Sequence, residues 1–212
     1  LIVAERQQGG RGRMGRMWDS PEGGIWLSVI LRPALAPAEA PKLTIMSAVA
    51  VAEAIIQLTG ISANIKWPND ILIDGKKVCG ILTEMSAEMD LINHVIIGIG
   101  INVNNDNFPD ELKDKSISLK QVKGDKINGV KQLASLLEKL EAYYVKAERE
   151  GFDEIFDRWR ALCVNLGKRV RIIGKNESFE GTAMDIDSSG ALLIKTLNGG
   201  IVKVLSGDVS IR

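Results

Sequence analysis

Residues Gly9 to Arg16 read GGRGRMGR, three arginines threaded on four glycines. Glycine lets backbone N–H groups approach a ligand closely. Each guanidinium is a planar fork that matches carboxylate or phosphate. Such a loop could bind anions, against the plainer reading of a solvated basic loop. Gly10, Gly12 and Gly15 also fit G-x-G-x-x-G, and the apolar run Leu1 to Ala4 precedes them as a strand would. A dinucleotide-binding turn, however, opens directly into a helix whose N-terminus holds the pyrophosphate. Here the continuation is MWDSPEGGIW, and Pro21, Gly23 and Gly24 break any helix. The match to that fingerprint is accidental, and an anion-binding glycine loop remains.

Two further stretches carry side chains of interest. KWPNDILIDGKKVCGI places Lys66, Lys76 and Lys77 around Asn69, Asp70 and an Asp74-Gly75 turn. Asn69 and Asp70 have a structural reading as turn formers. Alternation along a strand sends Lys76 and Lys77 to opposite faces, so one of them faces solvent and the other whatever the sheet covers. GIGINVNN sets Gly98 and Gly100 in an apolar strand, where glycine marks close approach of backbone or ligand. Asn102 and Asn104 follow on one face.

The elements that must hold these residues are legible. IWLSVILRP reads as a strand ending at Pro33. PKLTIMSAVAVAEAIIQLTG is apolar nearly throughout, a helix buried on most of its surface. The Asp74-Gly75 pair joins two strands as a hairpin, and NHVIIGIGINVN is another strand. Helical spacing recurs through Val130, Leu133, Leu137, Leu140, Tyr144 and Ala147, and again through Phe152, Ile155, Phe156, Trp159 and Leu162. After Gly167 short strands alternate with glycine turns, as in a small barrel-like β module. There Asp185, Asp187, Lys203 and Asp208 read as polar faces of half-buried strands. The fold class is α+β: a mixed β-sheet with packed helices, then a small β domain.

Composition narrows the function classes. The 212 residues carry 27 Lys+Arg and 27 Asp+Glu, so no global field draws nucleic acid. Two cysteines make neither a disulfide framework nor a zinc site, and one histidine, His94, excludes paired-histidine metal motifs. No signal peptide or membrane-length apolar run is visible, and a cytoplasmic location is the expectation. Leu1 already lies in a strand-like run, as in a piece of a longer protein.

ERQQGGRGRMGRMWDSPEGGIWLS, KWPNDILIDGKKVCGIL and IGIGINVN, in this order, resemble the biotin–protein ligases, also called biotin–[acetyl-CoA-carboxylase] ligases. The resemblance covers essentially the whole chain. It departs at the start, where the family's Ser-Thr-Asn segment that contacts biotin is missing. It implies a class II synthetase-like catalytic domain over residues 1–164 and an SH3-like domain over 165–212. It implies a ligase that joins biotin to ATP as biotinyl-5′-AMP, with Mg2+ carried by the triphosphate, and passes the acyl group to a lysine of a biotin carboxyl carrier domain. A homodimer is implied, with no membrane partner and no nucleic acid for this stretch.

The resemblance also assigns roles. Lys77, Arg13 and Arg11 are the catalytic cations. Gln7, Gly10, Arg11, Gly12, Arg13, Trp26, Lys77, Gly80 and Gly98 form the biotin site, the two strand glycines making room for the ring system. Arg13, Arg16, Trp18, Lys66, Asn69, Lys77 and Asn102 form the ATP site, with Trp18 stacked on adenine and Asn102 reading its edge. No residue is assigned to a metal. The glycine loop is implied to be a lid that orders on ligand binding, and the β module to help hold ATP and the carrier domain. Two alternatives stay open: a lipoate ligase, sharing fold and adenylation, and a nucleotide-sensing or nucleic-acid-binding module using a basic glycine loop.

Overall fold

A computed structural model describes residues 1–174 and 178–211. Residues 175–177 and Arg212, the last residue of the predicted β module, lie outside the described residues. Strands β1 (Ile2–Ala4), β2 (Ile25–Leu31), β3 (Asn64–Lys66), β4 (Asp70–Ile73), β5 (Lys76–Glu88) and β6 (Leu91–Ile101) form one six-stranded sheet in the order β1-β2-β6-β5-β4-β3. The α+β class holds. Each strand pairing in this sheet is antiparallel, which corrects the mixed sheet expected from sequence. The reason is connectivity: β4–β5 and β5–β6 are tight hairpins, and α1 leads into β3 on an edge rather than crossing over to a parallel neighbour.

Hairpin chemistry fixes the centre of the sheet. Asp74 and Gly75 both take positive φ, 50° and 77°, as a two-residue turn between strands of right-handed twist requires. Along β6 the alternation sorts the faces: Ile97, Ile99 and Ile101 are buried on one side, and Gly98 and Gly100 lie on the other. The isoleucine side packs against α1 (Ala40–Thr59), whose Leu43, Ile45, Met46, Val49 and Ile55 are almost fully buried. Burying side chains of this size stabilises by about 1.5–3 kcal/mol each relative to exposure, which holds the sheet rigid under the opposite face. Gly60 ends α1 in the left-handed conformation, its N–H bonded to the Ile56 carbonyl.

α2 (Leu119–Lys123) is a short helix that the periodicity did not flag; Ser118 and Gln121 cap its start reciprocally. α3 (Gly129–Glu150) and α4 (Asp153–Leu162) lie where the helical spacing predicts them and bury Leu136, Leu140, Ile155, Phe156 and Trp159. The remaining strands, β7 (Arg169–Ile173), β8 (Ser178–Ile186), β9 (Leu192–Thr196), β10 (Ile201–Val204) and β11 (Asp208–Ile211), form a second antiparallel sheet in the order β10-β9-β8-β7-β11.

The two sheets share one apolar cluster, running from Ile25 and Ile45 to Val170, Leu192 and Val209. Polar contacts also reach the second β module from the first part of the chain: the Trp67 indole N–H donates to the Gly190 carbonyl at 3.3 Å, and Arg160 of α4 pairs with Asp185 of β8 at 2.7 Å.

Candidate active site

The glycine loop between β1 and β2 folds back on itself as an irregular hairpin. Gln7 N–H bonds the Ser20 carbonyl at 3.0 Å, Trp18 N–H the Gly10 carbonyl at 2.9 Å, and Gly12 N–H the Arg16 carbonyl at 2.8 Å. Its tip is a single 3-10 turn, Arg13–Gly15, with Met14 and Gly15 at positive φ. Gly10 has no room for a side chain: a Cβ would stand 2.3 Å from the Trp18 carbonyl oxygen and 2.8 Å from Gln7 Oε1. The loop crosses the glycine face of the first sheet and reaches the second, and a cavity of about 480 Å³ lies beneath it.

Most of the predicted residues line this cavity: Gln7, Gly10, Arg11, Gly12, Arg13, Arg16, Trp18, Trp26, Asn69, Lys77, Gly80, Gly98 and Asn102. Lys66 is not among the lining residues. It sits on edge strand β3, paired in register with Asp70, and it is Asp70 that reaches the cavity.

Each of the cations already has partners within the protein, carboxylates for Arg11, Arg16 and Lys77 and neutral oxygens for Arg13. Arg11 pairs with Glu84 at 3.3 Å and Arg16 with Asp208 of β11. Arg13 donates to Asn69 Oδ1 at 2.8 Å and to the Gly207 carbonyl at 3.1 Å. Burial pushes the Arg13 pKa down, partly offset by Asp208 and Asp70; a guanidinium nevertheless keeps its charge at physiological pH. Lys77 Nζ pairs with Asp70 at 2.6 Å and stands 5.1 Å from the Trp18 ring centroid.

Lys77 owes its position to a β-bulge. The β4–β5 register jumps from Ile71–Cys79 to Leu72–Lys77, so β5 carries one extra residue there. Strict alternation counted back from Gly80 would bring Lys76 to the cavity face. The extra residue reverses the phase and brings Lys77 instead, as bulges beside binding sites commonly re-aim side chains. Lys76 does not line the cavity.

The walls are aromatic. Trp26 is buried, donates to the Pro21 carbonyl at 2.9 Å, and meets Trp18 edge-on at 6.4 Å between centroids. Gly80 and Gly100 face each other across β5 and β6. Both press against Trp18, so Gly80 makes room for this indole in the first place. Gly98 meets only ordinary contacts from Leu82 and stays open to the cavity. Asn102 is buried, its Oδ1 accepting from Asn105 at 3.1 Å. Asn104 turns instead to Ile127, bonding its backbone N–H and C=O at 2.9 and 3.0 Å.

Sequence reasoning passed over Glu84, Gly207 and the segment holding Phe108, Leu112, Lys115 and Ser116. All but Gly207 line the cavity, and Gly207 contacts Arg13. The segment brackets Lys77 through N–H to carbonyl bonds from Lys77 to Lys115, 2.7 Å, and from Ile117 to Lys77, 3.0 Å. Its mostly polar sequence has no periodicity; Phe108 and Leu112, the two large apolar residues in it, were the available signal. Cys79 is buried beside the site, and burial pushes its thiol far above the ordinary range, out of reach of nucleophilic chemistry. Among the described residues no three His, Cys, Asp or Glu side chains group as a metal cage.

A glycine floor, aromatic walls and four cations suit a ligand with an apolar ring portion and several negative charges. Comparison with known proteins agrees. Residues 1–102 match the Biotin/lipoate A/B protein ligase family and residues 166–212 the Biotin protein ligase C terminal domain. The chain is 47% identical to the bifunctional ligase/repressor BirA of Bacillus subtilis, over 100% of this chain and 66% of that protein, so it spans just under two thirds of that relative's length. It is 32% identical to a biotin--[acetyl-CoA-carboxylase] ligase of Mycobacterium tuberculosis, covering 99% of this chain and 77% of that one. The biotin protein ligase of Aquifex aeolicus, solved in complex with biotin and ATP, superposes with a TM-score of 0.87 at 34% identity, over 99% of this chain and 87% of that one. Sequence motifs, fold and site geometry thus converge, and the chain belongs to the biotin protein ligase family.

Proposed function

We propose that this chain activates biotin with ATP and transfers the biotinyl group to a lysine of a biotin carboxyl carrier domain. The carrying observation is the set Arg11, Arg13, Arg16 and Lys77, gathered over a glycine floor and held by protein acceptors that anionic substrates would replace. In the first step a biotin carboxylate oxygen attacks the α-phosphorus of ATP, the bond to the β-phosphate breaks, and pyrophosphate leaves. The barrier is largely electrostatic, because one anion approaches another; fixed cations lower it. Lys77 lies between the carboxylate and the α-phosphate, Arg11 and Arg13 close over both, and Arg16 reaches the triphosphate. Trp18 stacks on adenine, Asn102 reads its edge, and Trp26 walls the biotin ring. In the second step the acceptor amine attacks the mixed anhydride carbonyl, the carbon–oxygen bond to phosphate breaks, AMP leaves, and the amine loses a proton.

Mg2+ would arrive with the triphosphate and offset part of its charge. A catalytic domain over residues 1–164, an SH3-like module over 165–212, a homodimer and a cytoplasmic setting belong to the same proposal. They rest on family membership and on the second sheet's contribution of Gly207 and Asp208 to the loop contacts. The test is incubation with ATP, a carrier domain and either biotin or lipoate. Intact-mass analysis should find the carrier modified by biotin alone; lipoylation or no modification would overturn the reading.

A further inference from the structure

Trp18 is the one tryptophan of the four that is not almost fully buried, the others being 0–2% exposed. Its indole lies on a bare patch made by two glycines that face each other across adjacent strands. A Cβ on Gly100 would stand 2.4 Å from Trp18 Nε1, and one on Gly80 would stand 2.9 Å from Cζ3. Either methyl would lift the ring. The indole carries Lys77 above it and Trp26 at its edge, so the patch sets the height of an aromatic plane relative to the cation. The Trp18 N–H is buried against this patch without a partner among the described residues, so shape and not a hydrogen bond holds the position there.

We infer that Gly100, with Gly80, is a specificity-determining seat: it fixes the Trp18 plane at the height that admits a flat heteroaromatic base, and so governs affinity for the nucleotide rather than for the acid substrate. The inference rests on the proposed use of ATP, but the seat is testable without any ligand. In the ligand-free full chain, Gly100→Ala should raise acrylamide quenching of tryptophan fluorescence, because Trp18 leaves its seat. Gly98→Ala, whose methyl would meet only ordinary contacts, should leave quenching unchanged. Adenylate formation should then show a KM for ATP raised by about tenfold, the worth of one base–aromatic stacking contact, with the KM for biotin nearly unaltered. Replacing Trp18 by phenylalanine removes the ring edge that clashes, so Gly100→Ala/Trp18→Phe should recover a large part of the ATP affinity. Gly80→Ala, whose methyl would stand 2.9 Å from the same ring, should likewise raise quenching. Unchanged quenching in Gly100→Ala overturns the seat whatever the reaction is. Changed quenching with an unaltered or lowered KM for ATP overturns its role in nucleotide selection. An inactive parent chain is a failure of the proposed function, and the quenching result stands apart from it.

Discussion

Lys77 makes contacts for which substrate anions would compete: the Asp70 carboxylate at 2.6 Å and the face of Trp18. Exchanging Asp70 for a carboxylate and a phosphate in approach puts its charge where repulsion builds up. Lys77→Ala should therefore cut pyrophosphate release roughly a hundredfold, about 3 kcal/mol of transition-state stabilisation, with a small change in melting temperature. Lys76→Ala should behave like the parent, because Lys76 lies off the cavity. The reverse outcome would place the wrong lysine at the reacting atoms. At this scale the arginine loop was legible in the sequence, since residue type and glycine spacing alone point to anions. Lys77 was legible only through family resemblance. Simple alternation does not account for its position, because a bulge is a register fact set by the partner strand. Lys66 shares a sheet face with Asp70 but stands on the edge strand β3, one strand further from the cavity.

The glycine loop works as an element because its backbone bonds hold three arginines outward from one small hairpin. Gly10 is its tightest point, with the Trp18 carbonyl where a Cβ would be. Gly10→Ala should open the hairpin. Trypsin should then cut after Arg11, Arg13 or Arg16 faster than in the parent, and biotin activation should fall with it. Equal cleavage in both proteins would contradict the packing described. The strands and long helices that position the loop were readable because each has a strong period or turn signal: the Asp74-Gly75 hairpin, the apolar run of α1, and the heptad-like spacing of α3 and α4. The strand partners were not readable, so the sheet was expected to be mixed. Pairing is decided by contacts between residues far apart in sequence, and local periodicity is silent about them. The segment around Phe108 escaped for the opposite reason: it has no period at all and is placed by bonds to the backbone of Lys77.

The whole molecule is tied together where the second sheet meets the first. Gly190 has φ 83°, and a Cβ there would stand 2.6 Å from Ile45 Cδ1 of α1, while its carbonyl accepts from Trp67. Gly190→Ala combines backbone strain with a clash and should destabilise by about 1–3 kcal/mol, read as a single lowered melting transition. Two separate transitions would contradict the shared core. The turn after β8 also contains an acid-sensitive group. Burial pushes the Asp187 carboxyl up, but bonds from Ser189, Lys203 and the Ala191 N–H outweigh it and hold the pKa well below the usual carboxylate range. Its stabilisation is thus complete above the ordinary carboxylate pKa of about 4 and is lost as pH falls toward the folded value. Asp187→Asn should flatten the loss of stability below about pH 4, measured by urea unfolding at several pH values; an unchanged slope would contradict this. Biotin-dependent exchange of labelled pyrophosphate into ATP probes the proposed adenylation, because only a reversible attack on the α-phosphorus produces it. The full chain should catalyse this exchange with biotin and lose it in Lys77→Ala. Absence of exchange with biotin, or exchange supported equally by lipoate, would contradict the account.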